Sequence, residues 1–267
     1  MELFHRMFYL NSIFSINWPI ILLINLRKNN GFIYRNLTRK RILEFRYKQR
    51  DKKMLIDISL PLTNDFPVWP GDPKINISTI SSMDKGDTCN VSYMKMGVHA
   101  GTHIDAPHHF MNNNITVEKL SLDTLVGVVY VVEITEEPKV INNKVLQNST
   151  IPKGIDRLII KTENSKLWNL KHTTFNKNFV AIDKSGAEWI VKRGIKLVGV
   201  DYLSVAPFED GIPTHQILLG AQVIIVEGLN LSAIDGGYYE LFCLPLKIPG
   251  CDGSPARAVL KQLNNYP

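Results

Sequence analysis

From Met54 onward the apolar residues fall mostly into short runs of β type: "LIDISLPL", "KINISTI", "NVSYMKMGV", "LVGVVYVVEI", "DRLIIKT", "FVAI", "KLVGVD", "AQVIIVEGL" and "YYELFCLPLKI". Turn-forming clusters such as "PGDP" at 70–73 and "PGCDG" at 249–253 separate them. One segment has a helical pattern. "DKSGAEWIVKRG", 183–194, offers Ser185 as a cap, apolar Ala187, Trp189, Ile190 and Val191, and Gly194 as a stop. It leads into "IKLVGVD", so a helix-to-strand unit sits inside a β-rich chain, and the expected architecture is a single β-rich α/β domain.

Before Met54 the pattern changes. Residues 7–26, "MFYLNSIFSINWPIILLINL", are apolar but interrupted by Asn11, Ser12, Ser15, Asn17 and Pro19, and a basic stretch follows. Glu2 opens the chain where a signal peptide would place positive charge. The segment reads as a poorly ordered extension, or as one upstream of a true start at Met54. A membrane-surface anchor through residues 7–53 is the competing reading. The domain boundary is placed at residue 53 or 54.

Charge supports that division. The 267 residues carry a formal +6, yet twelve of the 31 Lys and Arg and only three of the 25 Asp and Glu lie in residues 1–53. The remainder therefore holds 19 basic against 22 acidic groups, which argues against nucleic acid as a partner. The three cysteines, Cys89, Cys243 and Cys251, are too scattered for a disulfide framework. They read as small buried hydrophobes of a cytoplasmic protein.

Chemistry concentrates in "VHAGTHIDAPHHF", 98–110. Read as an extended segment, it puts His99, Gly101, His103, Asp105, Pro107 and His109 on one face. His99, His103 and Asp105 can then converge on a cation, with Gly101 leaving room for it, while Pro107 ends regular pairing and lets His109 turn toward the same centre. His108 has the opposite parity and is expected at the surface or outside the ligand set. More ligands are needed for firm binding, and His215 in "GIPTHQILLG" and Glu227 in "VIIVEGL" are candidates. Glu227 ends an apolar strand, where it either meets a cation or hydrogen-bond network or reaches water.

These residues resemble the metal-dependent cyclase family, whose members include bacterial kynurenine formamidases and isatin hydrolases. The family hallmark HxGTHxDxPxH reads here as "HAGTHIDAPHH", 99–109, and the likeness extends through "IDISLPL", "FPVWPGD" at 66–72, "GIKLVGVD" at 194–201 and "LPLKIPGCDGSPARAVL" at 244–260. The resemblance covers nearly all of 54–267 and leaves 1–53 without a counterpart. It implies a swivelling β/β/α-type domain and a homodimer or homotetramer. It also implies a first metal on His99, His103 and Asp105, and a second held by His215 and bridged by Asp105 and Glu227. The ions would be two zincs, with manganese as the alternative. His109 would donate and accept protons, and Trp69 would contact an aromatic substrate.

The reaction so implied is hydrolysis of an aryl formamide such as N-formylkynurenine, with water activated between the two ions and His109 as proton shuttle. Ring opening of a cyclic amide of isatin type is the nearest alternative. A non-catalytic metal-binding protein is the alternative from another class, and it leaves His109 without a purpose.

Overall fold

The computed structural model describes residues 55–263 apart from 113, 137 and 171–173. The N-terminal segment 1–53 lies outside the described residues, as does the question of an anchor there. Among the described residues no helix is long and apolar enough to cross a membrane.

The strands are β1 (Ile56–Asp57), β2 (Asn76–Ser81), β3 (Val91–Lys95), β4 (His103–Asp105), β5 (Val126–Glu133), β6 (Val140–Ile141), β7 (Arg157–Lys161), β8 (Ala181–Ile182), β9 (Leu197–Val200), β10 (Ile224–Glu227), β11 (Gly237–Pro245) and β12 (Gly253–Gln262). Their main sheet runs β1-β12-β11-β5-β7-β9-β10-β4, and a further β4 to β12 pairing joins its ends. The result is a closed, barrel-like mixed sheet in a β-rich α/β domain. The parallel strands β5, β7, β9 and β10 are nearly continuous in Val, Ile and Leu because packed layers cover both their faces.

One layer lies inside the barrel, where Ile104, Val129, Ile159, Leu197, Val226, Leu241 and Leu260 meet. The other lies between the sheet and the helices and contains Leu158, Ile160, Val198, Ile225, Ile190 and Leu218. Helix α1 (Leu122–Leu125) is a single turn, and α2 (Asn143–Asn148), α3 (Lys184–Lys192) and α4 (Ile212–Gly220) follow. The helix expected at 183–194 is α3, but its cap is Asp183, which accepts from the Gly186 amide at 2.9 Å. Ser185 lies inside the first turn and donates to Asp183 instead, at 2.8 Å.

Two of the elements around the site gave no clear sequence pattern. Helix α4, "IPTHQILLG", is apolar nearly all round, so no polar face marks its period. Strand β12 begins "GSP", which reads as turn, yet it runs for ten residues. Its first residues pair with β4 while its later ones pair with β11 and β1. Of the cysteines, Cys243 is buried, and burial pushes its thiol up to about 12; Cys89 is exposed in the β2–β3 loop, contrary to expectation.

Close main-chain approach fixes the segment before β4. Gly228, directly after β10, has φ +69, and a Cβ there would lie 2.8 Å from the Gly101 carbonyl carbon. Thr102 Oγ1 donates to the Gly228 carbonyl at 2.5 Å and accepts from the Leu60 amide at 2.8 Å. Gly228→Ala should therefore cost about 3 kcal/mol or more, clash adding to backbone strain. Gly86→Ala, also at positive φ but with nothing within 4 Å, should cost only about 1 kcal/mol. Urea unfolding midpoints distinguish the two, and equal losses would mean that the Gly101–Gly228 contact is unimportant.

Candidate functional site

The alternating reading of 98–110 applies only to β4. Ile104 enters the barrel core and sends its neighbours His103 and Asp105 to the opposite face. Register then brings in Glu227, which sits opposite His103 on β10. Residues 98–102 turn rather than extend, with Gly101 at φ +74, and that turn delivers His99. Gly101 does not open space for an ion, because a Cβ there would run into Leu62. Pro107 begins the 3-10 turn Pro107–His109, which swings His109 toward the cluster. His215 arrives from α4.

All five candidate ligands thus come together, and His109 stands beside them. His103, Asp105, His215 and Glu227 are buried, with Asp105 fully inaccessible. His103 Nδ1 donates to the Gly101 carbonyl at 2.9 Å and His215 Nδ1 to the Gly211 carbonyl at 2.8 Å, so each turns Nε2 toward the carboxylates. His103 Nε2 lies 3.2 Å from Glu227 Oε2 and 3.5 Å from Asp105 Oδ1. His215 Nε2 lies 3.5 Å from Glu227 Oε1 and 3.9 Å from Asp105 Oδ2. His99 Nδ1 meets Asp105 Oδ1 at 2.8 Å.

The atoms fall into two groups that share Asp105. One is His103, Asp105 and Glu227; the other is His99, Asp105 and His109, each with its ligand atoms within 4.8 Å of one another. This differs from the expected first set of His99, His103 and Asp105. His103 is nearer Glu227 because the two face each other across paired strands. Asp105 Oδ2 is buried without a hydrogen-bond partner. Two ligands at about 2.1 Å from one ion in tetrahedral array lie about 3.4 Å apart, so the observed imidazole-to-carboxylate spacings suit a divalent metal.

Electrostatics agree with a compensated anionic centre. Burial opposes ionisation of Asp105, but the charge and hydrogen bond of His99, with His109 and His103, hold its pKa below the usual range. Burial and Asp105 push Glu227 upward, yet His103 and His215 leave it lowered. Burial would lower His99, but Asp105 and Asp252 raise it to about 10. His109 is lowered, first by burial and also by His99, against the pull of Asp105 and Glu227.

The cluster opens on a cavity of about 410 Å³ lined by Trp69, Phe110, Leu203 and Ser204, among others. Trp69 is held against Phe175 and Phe208, each with ring centroids 5.1 Å away. Sequence reading missed Asp252, which binds His99 Nε2 at 2.8 Å and His109 Nδ1 at 3.2 Å. The turn "PGCDG" was its only signal. His108 sits outside the cluster, its Nδ1 buried without a partner.

Asp201 was also missed. It accepts from the Thr162 amide and hydroxyl at 2.7 and 2.8 Å and from the Ser165 amide and hydroxyl at 3.1 and 2.7 Å. Burial raises its pKa against these bonds. It anchors the start of the loop whose Val205 amide donates to Glu227 Oε1 at 2.6 Å.

The Cyclase family model, "Putative cyclase", matches residues 56–207. Cyclase-like protein 3 of Oryza sativa subsp. japonica is 37% identical over 214 residues, covering 77% of this chain and 79% of that one. Kynurenine formamidase of Geobacillus thermodenitrificans is 37% identical over 209 residues, covering 78% and 97%. A solved "potential metal-dependent hydrolase with cyclase activity" is similar at 30% identity and a TM-score of 0.68, covering 79% of this chain and 98% of that one. An isatin hydrolase bound to the product analogue thioisatinate, at 19% identity and a TM-score of 0.68 over 85% and 100%, shares the fold.

Asp201→Ala would leave the Thr162 and Ser165 amides without their acceptor. It should cost about 2–4 kcal/mol in urea unfolding. A loss under about 0.5 kcal/mol would show that water replaces the carboxylate at no cost.

Proposed function

The chain belongs to the cyclase family, and on that premise we propose that it is a metal-dependent amidohydrolase cleaving the C–N bond of an aryl formamide such as N-formylkynurenine. The observation that carries this reading is the buried histidine and carboxylate cluster opening on an aromatic-walled cavity. The identity of 37% to a kynurenine formamidase supports the choice of substrate class.

His103, Asp105, Glu227 and His215 would hold one divalent ion, and His99 with Asp105 a second, zinc being expected and manganese suited to the same donors. Bound there, divalent ions polarise a carbonyl and acidify water. Asp105 is the residue common to both positions. His109 takes the proton from the attacking water and passes it to the departing nitrogen. Burial favours its neutral form, so the ring is ready to accept. Trp69 offers its face to the aryl group, and Phe175 and Phe208 keep the indole in place. A cavity of about 410 Å³ accommodates a small aryl amide.

Residues 54–267 are proposed to carry this activity without the N-terminal segment. A chain starting at Met54 should then match full-length turnover with zinc or manganese; a large loss would give residues 1–53 a part in the site. Assayed side by side, N-formylkynurenine should be hydrolysed faster than isatin, and the reverse order would replace formamide cleavage with ring opening.

Asp105→Ala and Glu227→Ala should lose both bound metal and turnover. His109→Ala should retain metal while turnover falls by about 10²-fold or more. Metal analysis and kcat decide: full occupancy in both carboxylate variants would falsify the ligand assignment, and metal loss in His109→Ala would make that histidine a ligand.

A further inference from the structure

Asp252 closes the turn before β12 and reaches two histidines with one oxygen. Its Oδ2 lies 2.8 Å from His99 Nε2 and 3.2 Å from His109 Nδ1, and the two rings stack with centroids 4.0 Å apart. The main chain fixes this position. The Ala106 amide donates to the Asp252 carbonyl at 2.8 Å and the Val117 amide to the Cys251 carbonyl at 2.9 Å, while Gly253 pairs with Asp105 across the β4–β12 seam. Gly253 permits the approach, since a Cβ there would overlap the His99 ring and lie 2.8 Å from the Ile104 carbonyl oxygen. Asp252 belongs to neither of the two potential metal groups, although it lines the same cavity.

We propose that Asp252 is a positioning residue that sets the orientation of both His99 and His109 and the tautomer of His109. The inference rests on the reading of the site as a hydrolase centre. By accepting Nδ1–H of His109, Asp252 leaves Nε2 as the bare nitrogen of a ring that lines the cavity, the form required of a proton acceptor. Its bond to His99 Nε2 holds that ring with Nδ1 toward Asp105, 2.8 Å away. A single carboxylate oxygen thus coordinates a ligand histidine with a proton-carrying one. Asp252 acts through these rings and does not touch the reacting atoms.

The test compares Asp252→Ala with Asp252→Asn in the full-length chain loaded with zinc. The asparagine keeps an acceptor oxygen; the alanine does not. Asp252→Ala should lower kcat by about 10–100-fold with KM within about twofold, and Asp252→Asn should recover most of it. In parallel, NMR of protein labelled with ¹⁵N-histidine should show a protected His109 Nδ1–H in the parent and in Asp252→Asn, lost in Asp252→Ala. That signal needs no substrate. If N-formyl arylamines are not hydrolysed, the proposed activity fails while the NMR comparison still decides the role of Asp252. Three results would overturn it: kcat of Asp252→Ala within twofold of the parent, an Asn variant as impaired as the Ala variant, or identical imidazole N–H signals in all three proteins. Parallel losses in melting temperature and KM in both variants would reduce Asp252 to a structural residue.

Discussion

Two carboxylates buried in a protein interior set the terms for everything around them. Asp105 and Glu227 lie on adjacent strands, both nearly inaccessible to solvent, and each raises the cost of charging the other. Histidines supply the compensation, and they arrive from a turn, a strand, a 3-10 turn and a helix. The barrel closes where this happens, because β4 is bonded to β10 on one side and to β12 on the other. Closure and charge compensation therefore depend on the same three strands.

The local chemistry was more legible in the sequence than the geometry that organises it. "HAGTHIDAPHH" declares its histidines and aspartate by type and spacing alone, and His215 and Glu227 follow as polar residues in apolar surroundings. The partnership between them was less visible. Parity groups His99 with His103, whereas strand register groups His103 with Glu227, and register is a property of two segments more than a hundred residues apart. Asp252 was hidden for the same reason. An aspartate in a Pro-Gly turn looks like turn chemistry until β12 is seen to pair with β4.

The fold shows a similar division. Strands buried on both faces are written plainly as Val, Ile and Leu runs, and most of them were found. Helix α4 escaped because its exposed positions, Ile212, Gln216 and Gly220, do not make a polar side. Its burial brings His215 into the interior, where the Gly211 carbonyl and Glu227 engage the two nitrogens. The aromatic group of Trp69, Phe175 and Phe208 arises from distant segments too, and through Trp69 it contributes to the lining of the cavity.

Strand β12 also makes completion of the pocket depend on the end of the domain. It is the last strand of the sheet, and it carries contacts spanning almost the whole domain, such as the Ser59 hydroxyl on the Ala258 carbonyl, 199 positions away. His99, His103, Asp105 and Glu227 all precede in the chain the strand that seals their sheet. Without β12, β4 would be paired on one side only, with β10, and the seam beside Asp105 would stay open. A chain that stops short of β12 would lack both that seam and Asp252, and so could not present the complete pocket.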